Sequence, residues 1–174
     1  MGMMRKLLMG CTLDGRTLVN TTEPHTSPEL MNTPITLTVG ASYSVSWAGD
    51  VPTATTVDYI YPFRIYGGTS VLYDMCDIRI KKNSYGIDIS ADMFGTVIYA
   101  FGLAETNTYT HEIRFTVTDV TKKDGITVYT VTAGYYINGY KMQEKSDIKN
   151  TRDVGEGLKY YDNLAGTFVI KKLS

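Results

Sequence analysis

At 174 residues and 19.4 kDa the chain is long enough for one domain with a sizeable core, or one domain plus an arm. It carries 13 Val, 13 Ile, 24 Thr and 14 Tyr against 8 Ala, 11 Leu and 6 Glu. Branched and aromatic side chains fit a pleated, half-buried surface, so this balance excludes a helical bundle, a coiled coil and most doubly wound α/β enzymes. With 17 basic and 18 acidic residues the net charge is -1, which implies no strongly basic face and makes nucleic acid a poor partner.

The first 34 residues read as an arm and linker. Arg5 and Lys6 precede Leu7, Leu8, Met9, Gly10 and Cys11, and Leu8 to Cys11 resembles a bacterial lipobox. A signal peptide needs an apolar stretch of about 7–15 residues; only Leu7 to Gly10 separate Lys6 from Cys11, so none is expected. Lys6 stands where an N-myristoylation motif wants Ser or Thr. No run of ~18 apolar residues predicts a membrane span. Cys11 and Cys76 have no metal-type spacing and are expected as two free thiols in a reducing cytoplasm. Asp14-Gly15, between Leu13 and Leu18, suits a tight hairpin turn. Pro24, Pro28 and Pro34 follow; they block helix and ladder pairing and predict an extended linker.

Residues 35–140 are expected to form the core, because the apolar period becomes two. Ile35, Leu37 and Val39 alternate with threonines, and Tyr43, Val45 and Trp47 alternate with Ser44 and Ser46, which puts Trp47 inside. Val57, Tyr59, Tyr61, Phe63 and Ile65 share one face of a longer strand, which Pro62 demotes to an edge or a bulged position. Cys76, Ile78 and Ile80 point inward opposite Asp77, Arg79 and Lys81; Tyr85, Ile87 and Ile89, then Val97, Tyr99 and Phe101, continue the pattern. After residue 108, Tyr109, His111, Ile113, Phe115 and Val117 face one way, Lys122 to Gly125 turn the chain, and Ile126 to Ala133 return. Asn138-Gly139 signals a second tight turn.

Residues 141–174 form a charged segment and a final strand. Lys141 to Lys149 reads as one or two helical turns, and Thr167 to Leu173 as a strand packing on the core. About eight short strands separated by turn signals predict an all-β fold, an antiparallel β-sandwich (Ig-like or jelly-roll-like) with an extended N-terminal arm; a barrel is the alternative.

Chemistry is hard to place on this pattern. There is no Gly-x-Ser-x-Gly elbow, and His25 and His111 are the two histidines, one in the linker and one on the inward side of a strand. His111-Glu112 begins like a zinc motif, but Phe115 stands where the second histidine belongs. Asp74, Asp77, Asp88 and Asp92 are a loose acidic group without the alternating oxygen ligands of a calcium loop. Gly155-Glu156-Gly157 lacks the strand and third glycine of a phosphate cradle. The chain therefore reads as non-enzymatic, with no cofactor and no metal. Tyrosine is the remaining signal. Tyr135, Tyr136 and Tyr140 bracket a turn, and adjacent Tyr135 and Tyr136 on a strand cannot both face one core. A ring with a hydroxyl suits a binding surface, although strands favour tyrosine in any case.

Thr- and Tyr-rich strands over residues 35–140, together with the arm, resemble the accessory proteins of bacteriophage virions, such as capsid-decoration or minor tail proteins. That resemblance implies a structural protein in the virion that docks on a larger assembly through its arm. Its partners would be other protein subunits or further copies of the chain, with neither nucleic acid nor membrane. Leu7, Leu8, Leu13 and Leu18 would be the apolar anchors, and Arg5 and Lys6 would meet an acidic neighbour. The alternative is a carbohydrate-binding or adhesin module whose Tyr136 and Tyr140 stack on sugar rings. An intracellular inhibitor of another protein is a third reading.

Overall fold

The computed structural model describes residues 16–22, 25–30, 35, 37–50, 60–66, 74–83, 86–103, 108–154, 159–162 and 165–174. Twelve strands run through them: β1 (Arg16–Thr21), β2 (His25–Leu30), β3 (Ser42–Asp50), β4 (Ile60–Tyr66), β5 (Asp74–Asn83), β6 (Gly86–Met93), β7 (Thr96–Leu103), β8 (Thr108–Lys123), β9 (Ile126–Ile137), β10 (Tyr140–Lys149), β11 (Lys159–Asp162) and β12 (Thr167–Lys172). The fold is an antiparallel β-sandwich. One sheet has the order β1-β12-β3-β8-β9-β10, and the second β2-β11-β4-β5-β6-β7. Successive strands take matching places in the two sheets (β1 with β2, β3 with β4, β11 with β12), while β5-β6-β7 and β8-β9-β10 are meanders. Among the described residues no helix is long and apolar enough to cross a membrane.

Period-two alternation builds the core. Tyr43, Val45 and Trp47 of β3, Ile113, Phe115 and Val117 of β8, and Val131, Ala133 and Tyr135 of β9 are buried in one cluster with Phe63, Ile65, Ile78, Ile80, Ile89 and Met93 of the second sheet. Phe63 and Phe168 meet across the layers with ring centroids 5.7 Å apart, and Tyr99 stacks on Tyr135 at 4.9 Å. Trp47 fits because two neighbours lack side chains. A Cβ on Gly49 or on Gly166 would lie 2.6 Å from its indole.

Several expectations need correction. Pro28 does not keep its segment out of a ladder: β2 pairs with β11 as the outermost strand of its sheet, the place where sheets tolerate proline. Residues 35 and 37–39 are not strand; the chain turns at Val39-Gly40, where Gly40 has φ +87° and donates to the Val117 carbonyl at 2.8 Å. Of the two places expected for Pro62 it is the bulged one that the structure shows: β4 is an interior strand, and the register shifts between Ile60 and Phe63. Val97 points outward and Ile98 is buried, because a bulge opposite Ala91 and Asp92 inserts one residue into β7. Lys141 to Lys149 is strand rather than helix: the Asn138-Gly139 turn sends it back along β9. The expected turn at Asp14-Gly15, with Cys11, Val57, Tyr59 and Tyr85, lies outside the described residues, and Cys76 is a buried thiol.

Candidate functional site

On the second sheet the residues between the core positions form a polar lattice on the outer face. Register aligns Arg64, Asp77 and Asp92 in one row, Arg79, Ser90 and Ala100 in the next, and Lys81, Asp88 and Gly102 in a third. Asp77 and Asp92 face away from the core as alternation requires, yet they are only 2% and 1% exposed. The overhang that helps cover this end is the chain leaving β10, residues 150–154. Asn150 fixes that overhang: its Oδ1 accepts the Tyr129 N–H at 2.6 Å, and its Nδ2 donates to the carbonyls of Thr127 (2.8 Å) and Arg152 (2.7 Å).

Two carboxylates deprived of water need a cation, and Arg79 serves both. Its Nε donates to Asp77 Oδ1 at 2.9 Å and its Nη2 pairs with Asp92 Oδ2. Ser90 Oγ adds a bond to Asp92 Oδ1 at 3.2 Å. The guanidinium is thereby locked in one orientation, with a third of its side chain still exposed. It forms the common wall of two pockets. The first, about 310 Å³, lies between Met75, Asp77, Phe94 and the overhanging Asn150 to Val154. The second, about 350 Å³, is walled by Arg79, Lys81, Asp88 and Ser90, and Ala100 and Gly102 leave its floor low. The charged lining residues balance: Arg79, Lys81 and Arg152 against Asp77, Asp88 and Asp153.

The other buried polar group is His111. It is 0% exposed, stacked between Trp47 and Tyr135 at centroid distances of 6.0 and 6.3 Å, with Tyr109 edge-on at 6.0 Å. Its Nδ1 shares a 2.7 Å hydrogen bond with the Tyr135 hydroxyl, and its Nε2 has no partner. Burial lowers the imidazole pKa to about 4 and pushes the Tyr135 hydroxyl above the usual phenol range. Both are neutral at pH 7 and line neither pocket. His111 is thus a core residue, as its inward register suggests. No group of three or more His, Cys, Asp or Glu is placed to hold a metal among the described residues.

The sequence-derived binding residues scatter. Arg5, Lys6, Leu7, Leu8 and Leu13 lie outside the described residues, and Leu18 packs partly buried against this chain's own core. Tyr135 is wholly buried, so it cannot anchor a partner. Tyr136 is half-buried on the outer face of the first sheet, where the Arg114 guanidinium lies 4.2 Å from its ring centroid and is held by both Glu112 oxygens at 2.8 Å. Tyr140 is 77% exposed but opposes Ile137, which puts it on the other side of the sheet from Tyr136. The tyrosines therefore form no common platform. What the sequence reading missed was the convergence on Arg79. Asp77 and Asp92 oppose each other in the ladder between β5 and β6, a pairing visible only once those two strands are taken as antiparallel neighbours.

No family model and no curated protein matches the chain. Among solved structures it is similar to galectin LEC-6 of Caenorhabditis elegans, at 12% identity and TM-score 0.41, over 88% of this chain and 94% of the galectin. It is similar to the carbohydrate recognition domain of Emp47p at 12% identity and TM-score 0.41, over 90% and 79% of the two chains. A third likeness is to the alginate lyase AlgAT5 of polysaccharide lyase family 7, at 14% identity and TM-score 0.40, over 77% of this chain and 56% of the lyase.

Proposed function

We propose that this chain is a non-enzymatic binding domain that takes a neutral saccharide on the outer face of its second sheet. The observation that carries the reading is Arg79, pinned by two buried carboxylates as the shared wall of two adjoining polar pockets. A group already fixed loses little freedom when a ligand docks, which lowers the cost of binding. Sugar hydroxyls both donate and accept, and the lining offers cations, carboxylates and a serine hydroxyl in balance. A polyanionic sugar would meet as many carboxylates as cations there. Asp77 and Asp92 are engaged by one arginine, which supports a role in holding it rather than in acid and nucleophile chemistry across a glycosidic bond.

Probing the purified chain on a glycan array, followed by calorimetry on the best ligand, tests this. Neutral oligosaccharides are expected to bind, and Ala100→Leu, which fills the exposed floor of the second pocket, to weaken them by about tenfold or more (about 1.4 kcal/mol per decade) with an unchanged melting temperature. Absence of binding to every neutral glycan, or full affinity in A100L, overturns the reading.

A further inference from the structure

The turn between β6 and β7 holds a residue that its backbone does not suit. Phe94 and Gly95 have φ of 50° and 74°, both left-handed. The other described non-glycine residues in that region are Asp124, Asn138 and Asp147, whose short polar side chains tolerate it. A bulky aromatic side chain there is strained, and such strain persists where the surroundings over-determine it and tends to gather at binding sites. Here the Phe94 N–H donates to the Met75 carbonyl at 2.8 Å, tying the turn to β5. The ring is half-buried: it packs against the core and lines the first pocket together with Arg79.

We propose that Phe94 is the stacking platform of the saccharide site, so that the ligand is a pyranose with an uninterrupted C–H face. The inference rests on the saccharide reading and deepens it. A sugar ring has an apolar face and a polar rim. The pocket offers one aromatic ring for the face and the fixed Arg79 guanidinium, beside Asp77, for the rim. Asparagine, aspartate or glycine would satisfy this turn without strain. What phenylalanine adds is an apolar ring at the pocket.

The test compares Phe94→Asn, which suits the turn but removes the ring, with Phe94→Trp, which keeps an aromatic face, both in the full chain. Using the neutral oligosaccharide selected on the array, F94N is expected to lose affinity about tenfold or more while still melting cooperatively, and F94W to retain binding. If F94N binds like the wild type while A100L does not, the stacking role is wrong and the saccharide site stands. If neither substitution matters, or no glycan binds, the site itself is wrong and the inference falls with it. Wild-type protein with labelled phenylalanine keeps the question decidable should F94N fail to fold. Cross-peaks between the Phe94 ring and sugar C–H protons are expected, and their absence in the saturated complex overturns the proposal.

Discussion

Core alternation places His111 inside, and its environment then makes it a liability in acid. Trp47, Tyr109 and Tyr135 surround the imidazole with rings, and the Tyr135 hydroxyl is its hydrogen-bond partner. Its folded pKa of about 4 lies below the ordinary 6.5, so the unfolded chain takes up the proton first as pH falls. Stability from this group is complete above pH 6.5, declines down to about pH 4 and is level below that, a loss of about 3 kcal/mol. Urea unfolding of the wild type and His111→Gln at pH 7 and pH 4.5 checks this: the wild type should lose more stability between the two, and equal losses would refute it. The inward position was legible from the period of two alone. Its hydrogen bond to Tyr135 was not, because that bond runs diagonally across a pair in which His111 opposes Ile137 and Ile113 opposes Tyr135.

Elements were legible where local chemistry and period agree. Asp124-Gly125 and Asn138-Gly139 are turns with φ of 51° and 82°, and 50° and 81°, which is what those residue pairs favour. Phe94-Gly95 makes the same kind of turn but carries no such signal, since phenylalanine is the wrong residue for it. β10 carries no strand signal, because residues 140–147 are exposed on both faces and no apolar alternation marks them. At the Asn138 turn the side chain adds to the conformational preference: Oδ1 accepts the Thr110 N–H at 2.9 Å, and the Asn138 N–H donates to the Thr110 carbonyl at 2.9 Å. Asn138→Ala should therefore cost about 1–2 kcal/mol, from the lost bond and the disfavoured left-handed backbone together. Asn138→Gly, which loses only the bond, should cost less. Denaturant midpoints of the two variants decide it, and an alanine variant as stable as the glycine variant would count against the backbone contribution.

For the whole molecule, the sandwich was legible from composition and strand spacing, whereas the places of residues 16–21 and 25–30 in its two sheets were not. Residues 16–21 and 25–30 have the look of an arm in sequence because their pairing partners, β12 and β11, lie more than 125 residues further along the chain. Sequence distance hides such a ladder, and Pro24 and Pro28 point the other way. A chain lacking residues 1–33 loses an outer strand from each sheet, including the partly buried Leu18 and Val19. It should melt about 3 °C lower or more, given at least ~1 kcal/mol of lost apolar burial. Differential scanning calorimetry of the truncated and full chains measures the difference, and coincident transitions would show that β1 and β2 contribute nothing to stability. The polar face around Arg79, by contrast, was invisible in the sequence as a candidate site. It depends on the register of four strands and on a segment that overhangs them from the end of the opposite sheet.

The same closure by the chain's two ends governs how the protein can be made. β1 and β2 leave the ribosome well before their partners: Arg16 waits for Lys172 and Leu30 for Lys159. β12 also lies against β3, and β11 against β4. The two meanders can assemble as they emerge, while β3 and β4 each keep one open edge until the last strands have been synthesised. Contacts of such long sequence separation form late, which slows folding and leaves unpaired strand edges on the nascent chain until β11 and β12 have emerged.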